Sequence, residues 1–279
     1  KMNDALRDNF STKIANIICW LFYINVNGIP NYNLPLTNQS RSNDNKLRSL
    51  GQQFDAKEID IAGYSETSLD WLSPNVRYQF ESHISDFSPG SVFATSSSAI
   101  HYDTPWQPGG CVTSANRQWS TRLVARHSDR YGRWSGLSFK GKDGYMCNII
   151  TIYNATLSDT IRSTRSTHAQ LRAMYSAEGR TNLDPSTNFS LDLLSFLATL
   201  TSDKSGVVVM GDFNLNLRDP SSRLGNKLAN IGLVDIHQYQ FPDLPPFNTY
   251  ARGSKQIDYI LMSTNLLPFV SHCGIEAFK

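Results

Sequence analysis

The chain has 279 residues, 40% of them apolar, and a formal net charge of +2. That apolar content can bury a sizeable core, and the near-neutral balance argues neither for nor against a polyanionic partner. No stretch reaches the ~20 apolar residues of a membrane span, and no signal-peptide pattern opens the chain, so a membrane role is not expected. The cysteines Cys19, Cys111, Cys147 and Cys273 lack C-x-x-C spacing. Most sit in apolar, strand-like runs where a reduced thiol is the default, which points to an intracellular compartment. Arg117, Arg122, Arg126, Arg130 and Arg133 fall in one short window, which reads as a solvated surface.

In chain order, Ile14 to Val26 is a nearly continuous apolar run ending in Asn25-Val26-Asn27-Gly28-Ile29-Pro30. This is the pattern of a central strand meeting a turn, with Asn25 and Asn27 on one side of it. A polar Asn inside such a run needs a partner or a ligand. Leu47, Leu50 and Phe54 then recur at helical spacing up to about Ala56. Ile59 to Gly63 is a second buried strand, and Glu66 lies just past it. Between Tyr78 and Tyr153, short alternating strands separated by Gly, Pro and Ser clusters predict an antiparallel meander. They are Ser91 to Thr95, Cys111 to Thr113, Thr121 to Ala125, Trp134 to Phe139 and Tyr145 to Tyr153, the last followed by Asn154. Helices are expected over Thr167 to Ala177, Ser190 to Thr201 and Leu224 to Ile231.

Val207 to Leu217 reads Val-Val-Val-Met-Gly-Asp-Phe-Asn-Leu-Asn-Leu, a strand buried on both faces that runs out at Gly211. Asp212 and Asn214 follow at alternate positions, which on an extended backbone share a side. A carboxylate there can hold a water or take a proton, and an amide can hold an anionic oxygen. The plainer alternative is Asx-turn chemistry at a strand end. Later, Asn248 to Met262 reads as a polar turn with Gly253 and then a strand containing Asp258. A carboxylate among Ile257, Tyr259, Ile260 and Leu261 should have a His, an Arg or a metal for a partner. Glu66 and Asp212 are thus two carboxylates at the ends of two core strands, a plausible metal site. No repeat or linker interrupts the chain, so residues 1–279 are read as one domain.

The order strand-Asn25, strand-Glu66, Tyr153-Asn154, Gly211-Asp212-Phe213-Asn214 and Gln256-Ile257-Asp258-Tyr259-Ile260-Leu261 resembles the endonuclease/exonuclease/phosphatase family, the group of deoxyribonuclease I and the apurinic endonucleases. The resemblance runs from about Ile14 to Phe278. It implies an α/β fold of two packed, mainly antiparallel β-sheets flanked by helices, a four-layer sandwich. Asn25 to Ile29, Gly109-Gly110, Tyr131 to Trp134 and Thr249 to Gly253 point within the family toward retrotransposon-type and apurinic-type DNA endonucleases. The Gly-Asp-X-Asn-Tyr-Arg and Trp-Cys-Asp-Arg segments of inositol-phosphate phosphatases are missing. The family closes on a Ser-Asp-His triplet, and this chain reaches Lys279 without one. The expectation is therefore a domain lacking its last strand, with His272 in Ser271-His272-Cys273 a decoy.

The resemblance implies roles. Glu66 would ligate Mg²⁺, or Mn²⁺ in its place, with Asn25 in support. Asp212 would orient or deprotonate the attacking water, and Asn214 would hold a phosphate oxygen. Tyr153 would donate to the scissile phosphate, and Asp258 would orient the histidine of the triplet. Asn27, Asn154, Thr249, Arg252 and Lys255 are candidate substrate contacts. The substrate so implied is double-stranded DNA, nicked to leave 3′-hydroxyl and 5′-phosphate ends. The setting would be a nuclear polyprotein fused to a reverse transcriptase. A phosphatase acting on a small or lipid ester and a non-catalytic nucleic-acid-binding module remain open.

Overall fold

A computed structural model describes residues 19–29, 48–52, 55–98, 107–156, 166–180, 184–249 and 255–274. Among the described residues the strands are, in chain order, β1 (Leu21–Asn25), β2 (Ile61–Ser65), β3 (Val92–Ser96), β4 (Cys111–Ala115), β5 (Leu123–Ser128), β6 (Trp134–Lys140), β7 (Met146–Tyr153), β8 (Ser205–Asp212), β9 (Leu233–Asp235) and β10 (Asp258–Ser263). The helices are α1 (Pro74–Phe87), α2 (Arg117–Ser120), α3 (Thr167–Ala177), α4 (Pro185–Leu200), α5 (Arg223–Asn230) and α6 (Ile236–Gln240). Residues 48–52 and 55–56 are helical too, where Leu50 and its neighbours predicted a helix.

The strands make two mixed sheets of order β1-β2-β4-β3 and β5-β6-β7-β8-β10-β9. Pairing is antiparallel except between β1 and β2 and between β7 and β8. The sheets face each other across a core that includes Ile61, Ala115, Leu137, Ile149, Val208 and Met210. On the outer face of the first sheet, Val76, Phe80 and Ile84 of α1 pack against Tyr64 and Val112. On the outer face of the second, Phe189, Leu193 and Leu197 of α4 and Leu224 and Leu228 of α5 cover Ile150, Val207 and Val209. The four layers follow from the two-residue period of a strand. Within β8, Val208 and Met210 look toward the other sheet, while Val207 and Val209 look toward the helices. Each fully buried side chain of this kind contributes about 1.5–3 kcal/mol.

Three expectations change. The strands between Tyr78 and Tyr153 are not one meander. β3 and β4 belong to the first sheet and β5 to β7 to the second, with α2 carrying the chain across between them. Period-2 alternation marks a strand but not its sheet. α4 starts at Pro185 rather than Ser190, because Asp184 caps it by accepting from the Ser186 and Thr187 amides and Pro185 sits in the first turn. The arginine window is not uniformly solvated: Arg133 is 2% exposed. Its guanidinium donates to Asp129 at 2.7 and 3.1 Å, to the Tyr175 hydroxyl at 2.7 Å and to Asp192 at 2.8 Å. Arg180 completes the cluster with two hydrogen bonds to Asp192, at 2.9 and 3.1 Å.

Candidate active site

Four strands end at one rim. β8 runs parallel to β7 and antiparallel to β10, so Asp212 is paired in register with Tyr153 on one side and Asp258 on the other. Gly211 permits the first pairing, since a Cβ there would run into the Ile152 carbonyl oxygen. β1 and β2 bring Asn25 and Glu66 to the same place from the facing sheet: Asn25 Nδ2 donates to Asp212 Oδ2 at 2.9 Å, and the Tyr153 hydroxyl donates to Glu66 Oε1 at 3.3 Å. The loop ends are tightly wound. Asn27, Glu66, Ser68 and Asn214 all have positive φ, with Glu66 at 55°. Asn tolerates that region, but for Glu it costs about 1–2 kcal/mol. The Glu66 turn is held by its carbonyl accepting from the Gly28 amide at 2.7 Å and by the Thr67 amide donating to Gly110.

The left-handed Asn214 corrects the simple alternation argument. Asp212 and Asn214 do not sit side by side on an extended strand. Instead the Asn214 amide donates to Asp212 Oδ1 at 2.8 Å, an Asx-type turn, and Asn214 Nδ2 donates to the Asn154 carbonyl at 2.7 Å. Asn27 likewise lies outside the strand and turns its amide onto Asn25 Oδ1 at 2.9 Å. Both carboxylate oxygens of Asp212 and both polar atoms of Asn25 are therefore fixed.

Burial first, then the nearby Asp258 and Glu66 charges, push the Asp212 carboxyl up to about 8, against the Asn214 amide and Asn25. Asp258 is also raised, by burial and by Glu66, with Thr249 and Tyr23 hydrogen bonds pulling the other way. Burial and then Glu66 and Asp212 raise Tyr153 far above an ordinary phenol, so it stays a donor. No cationic side chain figures among the leading influences on Asp212 or Asp258. Carboxylates gathered at a rim, with no ion pair to Asp212 or Asp258 among the described residues, fit a divalent cation, which would relieve their repulsion. Among the described residues no three His, Cys, Asp or Glu side chains converge closely enough to hold a metal by themselves. A hard cation needs only one or two protein oxygens and otherwise keeps waters, and Glu66 and Asn25 could supply them.

The sequence matches the endonuclease/exonuclease/phosphatase family over residues 22–277. The chain belongs to that family. No curated protein is detectably similar in sequence. Among solved structures, an AP endonuclease from Archaeoglobus fulgidus is 14% identical over 90% of this chain and 89% of its own, with a TM-score of 0.52. An endonuclease/exonuclease/phosphatase family protein from Leptotrichia buccalis is 12% identical over 88% of both chains, with a TM-score of 0.51. The mannosyl-6-phosphatase of Bacteroides thetaiotaomicron is 13% identical over 88% of this chain and 86% of its own, with a TM-score of 0.51. At these identities the likeness shows the fold alone.

Within this endonuclease/exonuclease/phosphatase-family fold, Asn25, Glu66, Tyr153, Asp212, Asn214 and Asp258 come together as described. Asn154 lies beneath them: it is 3% exposed, and its Nδ2 donates to the Phe213 carbonyl at 2.8 Å and to Ser186 Oγ at 3.3 Å. That places it as a brace for the Asp212 turn rather than as a surface contact. Thr249 braces the Asp258 strand, its hydroxyl accepting from the Ile257 and Asp258 amides at 3.0 and 3.1 Å. Lys255 is exposed and close enough to Asp219 to act on its charge. Arg252 lies outside the described residues. His272 is exposed and lines a groove with Trp20 and Phe22. Two residues were not anticipated, Tyr23 and Ser65. The Tyr23 hydroxyl donates to Asp258 Oδ1 at 3.0 Å and lies 2.6 Å from Ser65 Oγ. The available signal was spacing, since Tyr23 is two residues before Asn25 on one strand and shares its side.

Proposed function

We propose that this protein is a divalent-cation-dependent endonuclease that nicks duplex DNA to leave 3′-hydroxyl and 5′-phosphate ends. The observation that carries the reading is the meeting of Glu66, Asp212, Asp258, Asn25 and Tyr153 at one rim, where burial and the neighbouring Asp258 and Glu66 raise Asp212. Glu66 and Asn25 would hold the cation, Mg²⁺ in the first instance and Mn²⁺ as a substitute. When bound it polarises the phosphate. Asp212, raised into the range where a general base works near neutral pH, orients the attacking water and accepts its proton. Asn214 faces a phosphate oxygen, and the protonated Tyr153 hydroxyl donates to the scissile phosphate or the leaving oxygen. Asp258 orients a protonated histidine of the Ser-Asp-His triplet that the family resemblance implies. Asn27, Arg252 and Lys255 contact flanking phosphates. The segments at Asn25 to Ile29 and Tyr131 to Trp134 support a place beside a reverse transcriptase in a retrotransposon polyprotein, acting in the nucleus.

The test is a comparison of substrates in the full-length protein. Relaxation of supercoiled plasmid on adding Mg²⁺, with ends that a polymerase extends, is the expected result. Release of phosphate from mannose 6-phosphate or inositol phosphates with no plasmid relaxation would move the protein to the phosphomonoesterase reading. Duplex binding without cleavage of either kind would leave a non-catalytic nucleic-acid-binding module.

A further inference from the structure

Tyr23 sits in the middle of β1, and its ring packs into the core between the two sheets. Its hydroxyl leaves that core at the end where the acidic cluster lies. It is 3.0 Å from Asp258 Oδ1, on the facing sheet, and 2.6 Å from Ser65 Oγ, on the neighbouring strand. The direction of the two hydrogen bonds follows from proton counting. A phenol has one proton, and an ionised carboxylate only accepts. Tyr23 therefore donates to Asp258, and Ser65 must donate to Tyr23. The result is an ordered chain from Ser65 through Tyr23 to Asp258 that crosses from one sheet to the other. Ser65 immediately precedes Glu66, and Asp258 is paired with Asp212. The chain thus links the strand end that delivers Glu66 to the one that delivers Asp258.

The geometry points to Tyr23 as a positioning residue of the active site: its hydroxyl holds the Asp258 carboxylate at a fixed rotation and sets its place relative to Glu66. The backbone alone leaves that rotation free. Asp258 opens its strand, and Thr249 holds its amide and also acts on its carboxyl, so Tyr23 is the partner that ties that carboxyl to the facing sheet. One oxygen, Oδ1, takes the Tyr23 proton. This inference rests on the endonuclease reading above and adds a residue to it that has no contact with the cation or the phosphate.

Tyr23→Phe removes one oxygen and keeps the ring that fills the core. The expected result in the full-length protein is a fall of about tenfold in kcat for plasmid nicking, since small misplacements of a reacting group carry effects of that order or larger. KM for DNA should stay within about twofold, because no substrate contact is lost. In an Asp258→Asn background the same change should cost nothing further, because there is no longer a carboxylate to position. Ser65→Ala should give a smaller loss of the same kind. The Asp258 side-chain carboxyl ¹³C resonance should move in Tyr23→Phe more than that of Asp235. Full kcat in Tyr23→Phe, or losses that add in the double variant, would overturn the assignment. A wild-type protein that cleaves no phosphoester would sink the functional reading instead, and the Asp258 resonance would still decide whether Tyr23 holds that carboxylate.

Discussion

Two charged clusters flank the second sheet, and they are built on opposite rules. Around Arg133 the charges are balanced. The guanidinium forks onto Asp129, reaches Asp192, and shares Asp192 with Arg180, while its plane lies over Trp134 at 4.5 Å. Around Asp212, among the described residues, the three carboxylates are answered by amides and hydroxyls. A balanced cluster is complete in itself and serves to join β6 to α3 and α4. An unbalanced one is costly to keep buried, and on the proposed function a bound cation would offset that cost. The difference in charge balance is what the proposed function takes as the mark of the site.

The largest expected effects come from removing the unbalanced charges. Asp212→Ala and Glu66→Ala should each abolish cation-dependent nicking in the full-length protein while circular dichroism and gel filtration stay unchanged. Both variants cutting at the wild-type rate would end the comparison. The balanced cluster should respond the other way. Arg133→Met strands Asp129 in the interior and should destabilise the fold by about 3–5 kcal/mol in urea titration. Arg133→Met combined with Asp129→Leu should recover part of that, because both buried charges leave together. Equal losses in the single and double variants would show that packing, not charge balance, governs this site.

The two clusters should also shift stability in opposite directions with pH. Burial pushes the Asp192 carboxyl up, but hydrogen bonds from Arg180 and Arg133 outweigh it and hold it below the usual value. A depressed carboxylate contributes stability above its ordinary pKa and loses it as pH falls through its folded value. Asp212 is the reverse, raised to about 8. Between the ordinary carboxylate value and about 8 the folded state binds the extra proton, so that contribution is present at low pH and lost as pH rises through about 8. In chelator, Tm measured across pH should fall toward alkaline pH more steeply in wild type than in Asp212→Asn. Asp192→Asn should flatten the acid limb alone. Added Mg²⁺ should flatten the alkaline limb, and its failure to do so would detach the cation from this cluster. The smallest effect belongs to Lys255→Ala. Read against salt in an Asp212→Asn background, it should flatten the slope of duplex affinity by about 1, and an unchanged slope would take Lys255 out of the DNA interface.

Much of this was legible in the residues. The strand at Val207, the helix at Thr167 and the delivery of Glu66 and Asp212 to strand ends follow from periodicity and from carboxylates bounding apolar runs, whereas Asp258, read inside its strand, opens it. Long-range partnering was not legible. Arg133 and Asp192 are 59 positions apart, and Tyr23 and Asp258 are 235 apart, and a local pattern carries no sign of either pair. Left-handed turns were missed for a related reason. Asn214 could be read as extended or as an Asx turn, and only the Asn154 carbonyl waiting for its side chain decides it.

The most direct test of the central claim is the cation dependence of plasmid nicking by the full-length protein, stripped with chelator and then titrated with Mg²⁺, wild type beside Glu66→Gln. The account predicts that wild type relaxes supercoiled DNA only as Mg²⁺ is restored, leaving 3′-hydroxyl ends that a polymerase extends. It also predicts that Glu66→Gln, folded as wild type, relaxes none at the same Mg²⁺. Nicking that persists in chelator, or proceeds equally well in Glu66→Gln, would contradict it.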